Sequence, residues 1–271
     1  LTAAPKNAGH DHQKKRLLDP SSPWLMHLGI ANQQGEILKT AQDKWRQINK
    51  FLEIIDALVR QNPPAENAVF RAADMGSGKG YLTFALFDFL KNKLGIDAQI
   101  TGIELRPGLV DFCNKIAQLI DFQQLTFISQ DIKTWKTEPI DLLIALHACD
   151  TATDLAIAGG LHAGAKMIVV APCCHKQVRR DMAAKNELAP ILKNGILEER
   201  QAEILTDGIR ALLLESQGYR TQVFEFISTE HTAKNVMITA VKARKNPSAL
   251  MQIAALKSAF GLKTHFLETI I

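Results

Sequence analysis

Ala72-Ala73-Asp74-Met75-Gly76-Ser77-Gly78-Lys79-Gly80-Tyr81-Leu82 follows Val69-Phe70-Arg71 and precedes Thr83-Phe84-Ala85-Leu86. The order reads as strand, glycine turn, helix. Glycines at three alternate positions let the backbone turn tightly and approach a ligand closely. A helix beginning at the turn aims its first N–H groups back at that ligand. The rest of the chain is read as a scaffold for this turn.

Spacing narrows the ligand. A triphosphate-binding loop needs Gly, four residues, then Gly-Lys-Ser/Thr. Here Gly78-Lys79 is followed by Gly80, and the earlier position is Ala73, so that loop is excluded. The dinucleotide fingerprint places its third glycine where Tyr81 stands. What remains is Asp-x-Gly-x-Gly-x-Gly, followed by a second strand, Gln99-Ile100-Thr101-Gly102-Ile103-Glu104. An acid at that strand end suits two ribose hydroxyls.

From Ala68 onward strands and helices alternate. Strands are expected at about 68–75, 99–105, 125–129, 140–146 and 167–171. Helices are expected at about 80–93, 107–120, 151–158, 176–193, 197–217 and 248–260. The run Ile140–Leu146 is almost wholly apolar, as a parallel strand buried on both faces requires. Residues 222–227 and 236–241 pair as a terminal antiparallel hairpin. Upstream, residues 1–23 read as a polar arm containing Lys14-Lys15-Arg16. A helix over about 43–60 puts Trp45, Ile48, Phe51, Leu52, Ile55, Leu58 and Val59 on one face, and Asn62-Pro63-Pro64 ends it. The expected fold is therefore α/β: a mostly parallel sheet with helices on both faces, a closing hairpin, and a helical N-terminal extension. The expected division is an arm and helical extension at 1–64 and an α/β domain at 65–271.

Composition bounds the setting. Of 271 residues, 46% are hydrophobic, and no apolar run approaches the ~20 residues that span a bilayer. No stretch reads as a secretory leader. Cys113, Cys149, Cys173 and Cys174 form no disulfide framework, so a reducing, cytoplasmic location is expected. The net charge of +4 is mild, but residues 233–271 carry six Lys/Arg against the single acid Glu268.

In doubly wound sheets ligands sit at the carboxyl ends of the strands. Those ends deliver Asp74 with the glycines, Glu104, Asp131-Ile132, Leu146-His147-Ala148-Cys149-Asp150 and Pro172-Cys173-Cys174-His175. The hairpin loop adds Ser228-Thr229-Glu230-His231-Thr232-Ala233-Lys234-Asn235. His147 and His231 are candidate bases for a hydroxyl or amine acceptor; either can equally be a buried structural histidine. Asp150 suits orienting a base or capping a helix. Cys173 and Cys174, ahead of a helix, suit a lowered thiol pKa or simple burial. His175 completes the catalytic candidates. No metal is expected: His147, Cys149, Cys173, Cys174 and His175 converge, but there is no C-x-x-C pair. Lys176 and Arg179, with Arg180, Lys234 and the basic C-terminus, are candidates for a phosphate-binding rim. A solvated basic face is the alternative.

The glycine turn and strand-end acids resemble the first motifs of class I S-adenosylmethionine-dependent methyltransferases. The alternating pattern with its hairpin resembles their Rossmann-like seven-stranded fold. Narrower motifs are Leu-His-Ala-Cys-Asp-Thr-Ala-Thr-Asp (146–154), Ala-Pro-Cys-Cys-His-Lys (171–176) and Glu-His-Thr-Ala-Lys-Asn (230–235). Together they are similar to the domain family shared by eukaryotic acceptor-stem tRNA 2′-O-methyltransferases and ribosomal RNA adenine dimethylase domain-containing proteins, over about 68–243. The Cys/His zinc-finger region of the tRNA enzymes is not present. The resemblance implies S-adenosylmethionine held by Asp74, Gly76, Ser77, Gly78, Gly80, Glu104, Asp131, Ile132 and Leu146. It implies an RNA substrate met by Lys176, Arg179, Glu230, Lys234 and Asn235. Pro172-Cys173 also resembles the Pro-Cys nucleophile of cytosine-5 methyltransferases. A protein or small-molecule acceptor, or an RNA-binding protein that keeps only the cofactor fold, are the other readings.

Overall fold

The central strand β1, Phe70–Met75, is buried at five of its six residues. The computed structural model to which it belongs describes residues 17–136, 138–146, 148, 151–226 and 235–271. Around β1 lie β2 (Ala98–Glu104), β3 (Leu125–Ser129), β4 (Leu142–Ala145), β5 (Met167–Val170), β6 (Tyr219–Glu225) and β7 (Val236–Lys242). They form one sheet of seven in the order β3-β2-β1-β4-β5-β7-β6. β4 and β5 are buried at every position. This is the burial that a continuous apolar run between two helical layers needs.

Strands β1 to β5 pair with one another in parallel. β7 inserts antiparallel between β5 and β6. The chain runs outward from β1 through β2 to β3, then returns to β4 on the other side of β1. Asp74 is thus in register with Gly102 of β2 and with Ile144 of β4. A crevice opens at such a switch point, beyond the strands' carboxyl ends.

One face of the sheet carries α1 (Pro23–His27), α2 (Gln42–Gln61), α3 (Tyr81–Asp88, continued by a π turn to Lys93) and α4 (Pro107–Leu119). Trp24, Phe51, Phe84, Phe87 and Phe89 are fully buried there. Burying a side chain of this size contributes about 2–3 kcal/mol. Trp24 stacks on Phe84 with ring centroids 6.2 Å apart. Its indole N–H donates to Asp88 Oδ2 at 2.8 Å. Asp88 also accepts from Ser22 Oγ and from Asn92 Nδ2. The N-terminal helices therefore share one core with the sheet.

The other face carries α5 (Thr151–His162), α8 (Gly195–Ser216) and α9 (Ala249–Phe260). Between β5 and α8 the expected single helix is two short ones, α6 (Lys176–Asp181) and α7 (Ala189–Leu192). The cause is tertiary. Met182 turns extended, and the N–H groups of Ala183 and Lys185 donate to the carbonyls of Phe260 and Ala259 at the end of α9. Gly261 permits the contact: its φ is +67°, and a Cβ there would stand 2.3 Å from the Ala183 carbonyl oxygen. Among its described residues, the β3–β4 connection carries only a 3-10 turn, Ile132–Thr134. No helix of the described residues is long and apolar enough to cross a membrane.

Candidate active site

The turn after β1 takes the conformation its glycines allow, with φ of +75°, +58° and +72° at Gly76, Gly78 and Gly80. These left-handed values strain any residue with a Cβ. The turn is anchored internally. Gly76 and Ser77 donate to the Ile103 carbonyl, Gly80 donates to that of Ser77, and Gly78 donates to Glu104 Oε2 at 3.0 Å. The glycines consequently serve close approach, because these four N–H groups are already occupied. A Cβ on Gly76 would meet no protein atom within 4 Å. It would project into open space in front of the turn. The floor behind is tight: a Cβ on Gly102 would come within 2.4 Å of the Phe127 ring. The hydroxyl of Ser77 is buried there without a partner in the described structure.

Two carboxylates flank the turn. Asp74 is buried and accepts the Thr83 hydroxyl at 2.6 Å, tying β1 to α3. Burial pushes its carboxyl up to about 7; the Thr83 bond opposes this and the nearby Glu104 charge adds to it. Glu104, also buried, behaves oppositely. The Arg106 guanidinium, aided by the backbone N–H groups of Arg106 and Gly78, holds it below the usual carboxylate range against its burial. Arg106 Nε lies 2.8 Å from Oε1. Behind the turn, Cys113 of α4 has its Sγ 3.9 Å from the Gly78 carbonyl oxygen. Burial, then the charges of Glu104 and Asp74, push that thiol up to about 12, so it is inert packing. Asn114 fastens α4 to β3, its side-chain amide both donating to and accepting from the Phe127 backbone at 2.8 Å.

The remaining strand ends are placed as follows. Asp131 is exposed and its Oδ1 accepts the Lys133 N–H, capping the turn that begins at Ile132. Leu146 is buried at the end of β4. Cys173 and Cys174 are half-buried, their sulfurs 3.7 Å apart. His175 is buried, its Nε2 3.2 Å from Asp207 Oδ2. Asp207 accepts from Arg210, which also forks onto both oxygens of Asp154 at 2.7 and 3.1 Å. Against the burial that would lower it, these two carboxylates raise the Arg210 pKa. Asn235 donates to Glu225 at the mouth of the β6–β7 hairpin. His147, Cys149, Asp150, Glu230, His231 and Lys234 lie outside the described residues.

The geometry divides the expected basic rim. Lys176 is exposed, whereas Arg179 is paired with Glu198 and Glu199 and Arg180 with Asp181. Of the basic residues at and after the end of β7, Lys242, Arg244 and Lys245 lie at the opposite end of the sheet, whereas Lys263 comes back beside Asp181 of α6. Val241 is in register with Met167, the first residue of β5, while the motif Pro172–His175 follows the last. β7 is antiparallel, so it carries Lys242, Arg244 and Lys245 away from the crevice. Lys257 pairs with Glu268. Among the described residues no three His, Cys, Asp or Glu side chains converge as a metal site.

Thr83, Arg106, Cys113, Asn114 and Phe127 escape reasoning from motifs, as do Asp207 and Arg210; Asp154 closes the 146–154 motif, but its partner Arg210 could not be read from it. Arg106 was marked only by standing two residues after Glu104. Asp207 and Arg210 were marked by charge at i,i+3 on an otherwise apolar helical face.

A family of proteins described as a methyltransferase domain matches residues 43–181. No curated protein matches the chain. Similar solved structures include one described as an S-adenosyl-L-methionine-dependent methyltransferase from Methanococcus maripaludis, at 12% identity and a TM-score of 0.48, covering 88% of this chain and 100% of that one. The plantazolicin methyltransferase BpumL in complex with SAH matches at 12% identity and a TM-score of 0.43, covering 83% and 95%. The CMeT domain structure of the citrinin polyketide synthase matches at 15% identity and a TM-score of 0.45, covering 73% of this chain; the chain spans about half, 54%, of that one. The family match runs from the first turn of α2 to the end of α6, over more than half of the chain, and the protein therefore belongs to this methyltransferase domain family as an S-adenosylmethionine-dependent methyltransferase domain.

Proposed function

We propose that the protein methylates RNA, with S-adenosylmethionine held across the turn Gly76–Gly80 and its ribose on Glu104. The observation that carries the cofactor placement is the 3.0 Å bond from the Gly78 N–H to Glu104 Oε2. It makes turn and acid one rigid unit at the crevice. The open space at Gly76 and the closed floor at Gly102 and Phe127 suit a ligand lying against bare backbone. Asp131, Ile132 and Leu146 would line the adenine side, and Asp74 would hold the shape of the turn.

S-adenosylmethionine supplies an activated methyl group on a sulfonium. The protein's part is to position the acceptor and take up its proton. His147 or His231 would take that proton, with Asp150 orienting it. Cys173 and Cys174 would border the acceptor, and His175 would hold their loop through Asp207. The RNA reading rests on the His-Ala-Cys-Asp, Pro-Cys-Cys-His and Glu-His-Thr-Ala-Lys-Asn motifs. It is also supported by cations at the rim: Lys79 and Lys176 are exposed there. The first turn of α2 reaches the same rim, its Lys44 ammonium 5.2 Å from the Tyr81 ring at the start of α3. Residues 1–64 are accordingly read as a substrate-docking extension of a catalytic domain at 65–271. Lys176, Arg179, Glu230, Lys234 and Asn235 would meet the acceptor from the other side.

The ion pairs on Arg179 and Arg180 favour a second reading, a protein or small-molecule acceptor, since they draw positive charge from the rim. Methyl-labelled S-adenosylmethionine, incubated with the protein and separated RNA, protein and small-molecule fractions, decides between them. Label in RNA is expected. Label confined to another fraction overturns the RNA reading.

A further inference from the structure

A carboxylate offers about four hydrogen-bond acceptor positions, two on each oxygen. On Glu104 four donors take them. Oε1 accepts the Arg106 backbone N–H at 3.0 Å and Nε at 2.8 Å. Oε2 accepts the Gly78 N–H at 3.0 Å and Arg106 Nη2 at 3.2 Å. A vicinal diol therefore finds this acid fully occupied.

Two of the four donors are backbone groups fixed by the turn and by the start of α4. The other two belong to one guanidinium, whose side chain is 68% exposed while the acid it covers is 7% exposed. A Cβ built on Gly78 would lie 4.0 Å from Nη2, so the same guanidinium also covers the glycine turn. The only donors that can leave without unmaking the fold are thus Nε–H and Nη2–H, one on each oxygen.

We propose that Arg106 is a displaceable latch on the ribose subsite, exchanged for the two hydroxyls of the cofactor as it binds. The exchange is one for one: each hydroxyl replaces one guanidinium N–H, and the freed arm swings into water. It follows that the latch selects for a complete diol. A ligand lacking one hydroxyl must still free the acid from a forked partner while restoring a single bond. The latch opposes binding and keeps Glu104 ionised and aimed in the absence of ligand. Its strength falls with ionic strength, because the guanidinium faces solvent.

The inference rests on the placement of ribose on Glu104, and its test separates the two. The probe is S-adenosylhomocysteine, titrated by calorimetry into the purified chain and into Arg106→Gln, Arg106→Lys and Glu104→Ala. Arg106→Gln is expected to bind roughly two- to fivefold tighter, the range of an exposed ion pair. Arg106→Lys, which keeps the charge and loses the fork, is expected to fall between. Raising salt from about 50 to about 500 mM, across which the screening length shortens severalfold, should strengthen binding to the unaltered chain and not to Arg106→Gln. The 2′-deoxy analogue of the probe should be discriminated against more strongly by the unaltered chain than by Arg106→Gln. If Glu104→Ala weakens binding while Arg106→Gln leaves it unchanged or weaker, the latch is wrong and the ribose placement stands. If Glu104→Ala binds as tightly as the unaltered chain, both are wrong.

Discussion

His175 Nε2 lies 3.2 Å from Asp207 Oδ2, and both side chains are buried. One residue after the paired cysteines, the chain thus commits its histidine to α8 rather than to the crevice. Asp207, Arg210 and Asp154 extend the link to the first turn of α5. The ends of β4 and β5 are consequently braced by one buried hydrogen-bonded chain. Removing Arg210 from it leaves two buried carboxylates without their guanidinium. Arg210→Ala should destabilise by about 3–5 kcal/mol, measured as a shift in urea unfolding. A loss under about 1 kcal/mol, the value of an exposed pair, would show that the chain does not brace the fold.

Asp74 makes stability depend on pH. Its folded pKa of about 7 stands above the ordinary carboxyl value. A raised folded value means the folded state holds its proton longer than the unfolded chain does. Stability from this group is therefore full below about pH 4 and lost as pH rises through about 7. Asp74→Asn cannot ionise and lacks this loss. The stability of Asp74→Asn relative to the parent should rise between pH 5 and 8, by on the order of 2 kcal/mol. Urea midpoints for both proteins at the two pH values test it; parallel behaviour would refute the assignment.

Gly102 is required by a neighbour rather than by its own backbone. A Cβ there would stand 2.4 Å from Phe127 Cδ1. Gly102→Ala should cost about 1–3 kcal/mol by overpacking. The same substitution in a Phe127→Leu background should cost less, because the smaller side chain vacates that space. A double-mutant cycle by thermal or urea unfolding reads the coupling directly, and strictly additive effects would show that the ring is not the obstacle.

Trp24 ties the N-terminal segment to the catalytic fold through Asp88. Trp24→Phe keeps most of the packing and removes the N–H donor. The expected loss is about 1–3 kcal/mol, the cost of leaving a buried acceptor short of a partner. Protease cleavage before α2 should accelerate in parallel. A variant with unchanged unfolding and unchanged cleavage would mean the segment is held by apolar contacts alone.

The alternating strand and helix pattern, the glycine turn and the strand-end acids were legible in the chain because each rests on local chemistry. Gly76, Gly78 and Gly80 take left-handed φ values that other residues resist. The apolar runs of β4 and β5 can lie only between two layers. Alternation from β1 onward places Glu104 at a strand end next to Asp74's strand. What escaped depends on contacts across long sequence separations. The break between α6 and α7 exists because Ala183 and Lys185 bond to the end of α9. The bracing of His175 needs Asp207, 32 positions away, and through it an Arg210–Asp154 pair that spans 56 positions. Lys242, Arg244 and Lys245 looked like part of the rim in one dimension, but the antiparallel path of β7 carries them to the far end of the sheet, while Lys263 returns to α6. Local backbone preference and apolar periodicity were thus enough to specify the scaffold and its glycine turn. Which charged side chains face that turn, and which neutralise one another elsewhere, was decided only when the strands took their order, because pairing between charges depends on distance in space.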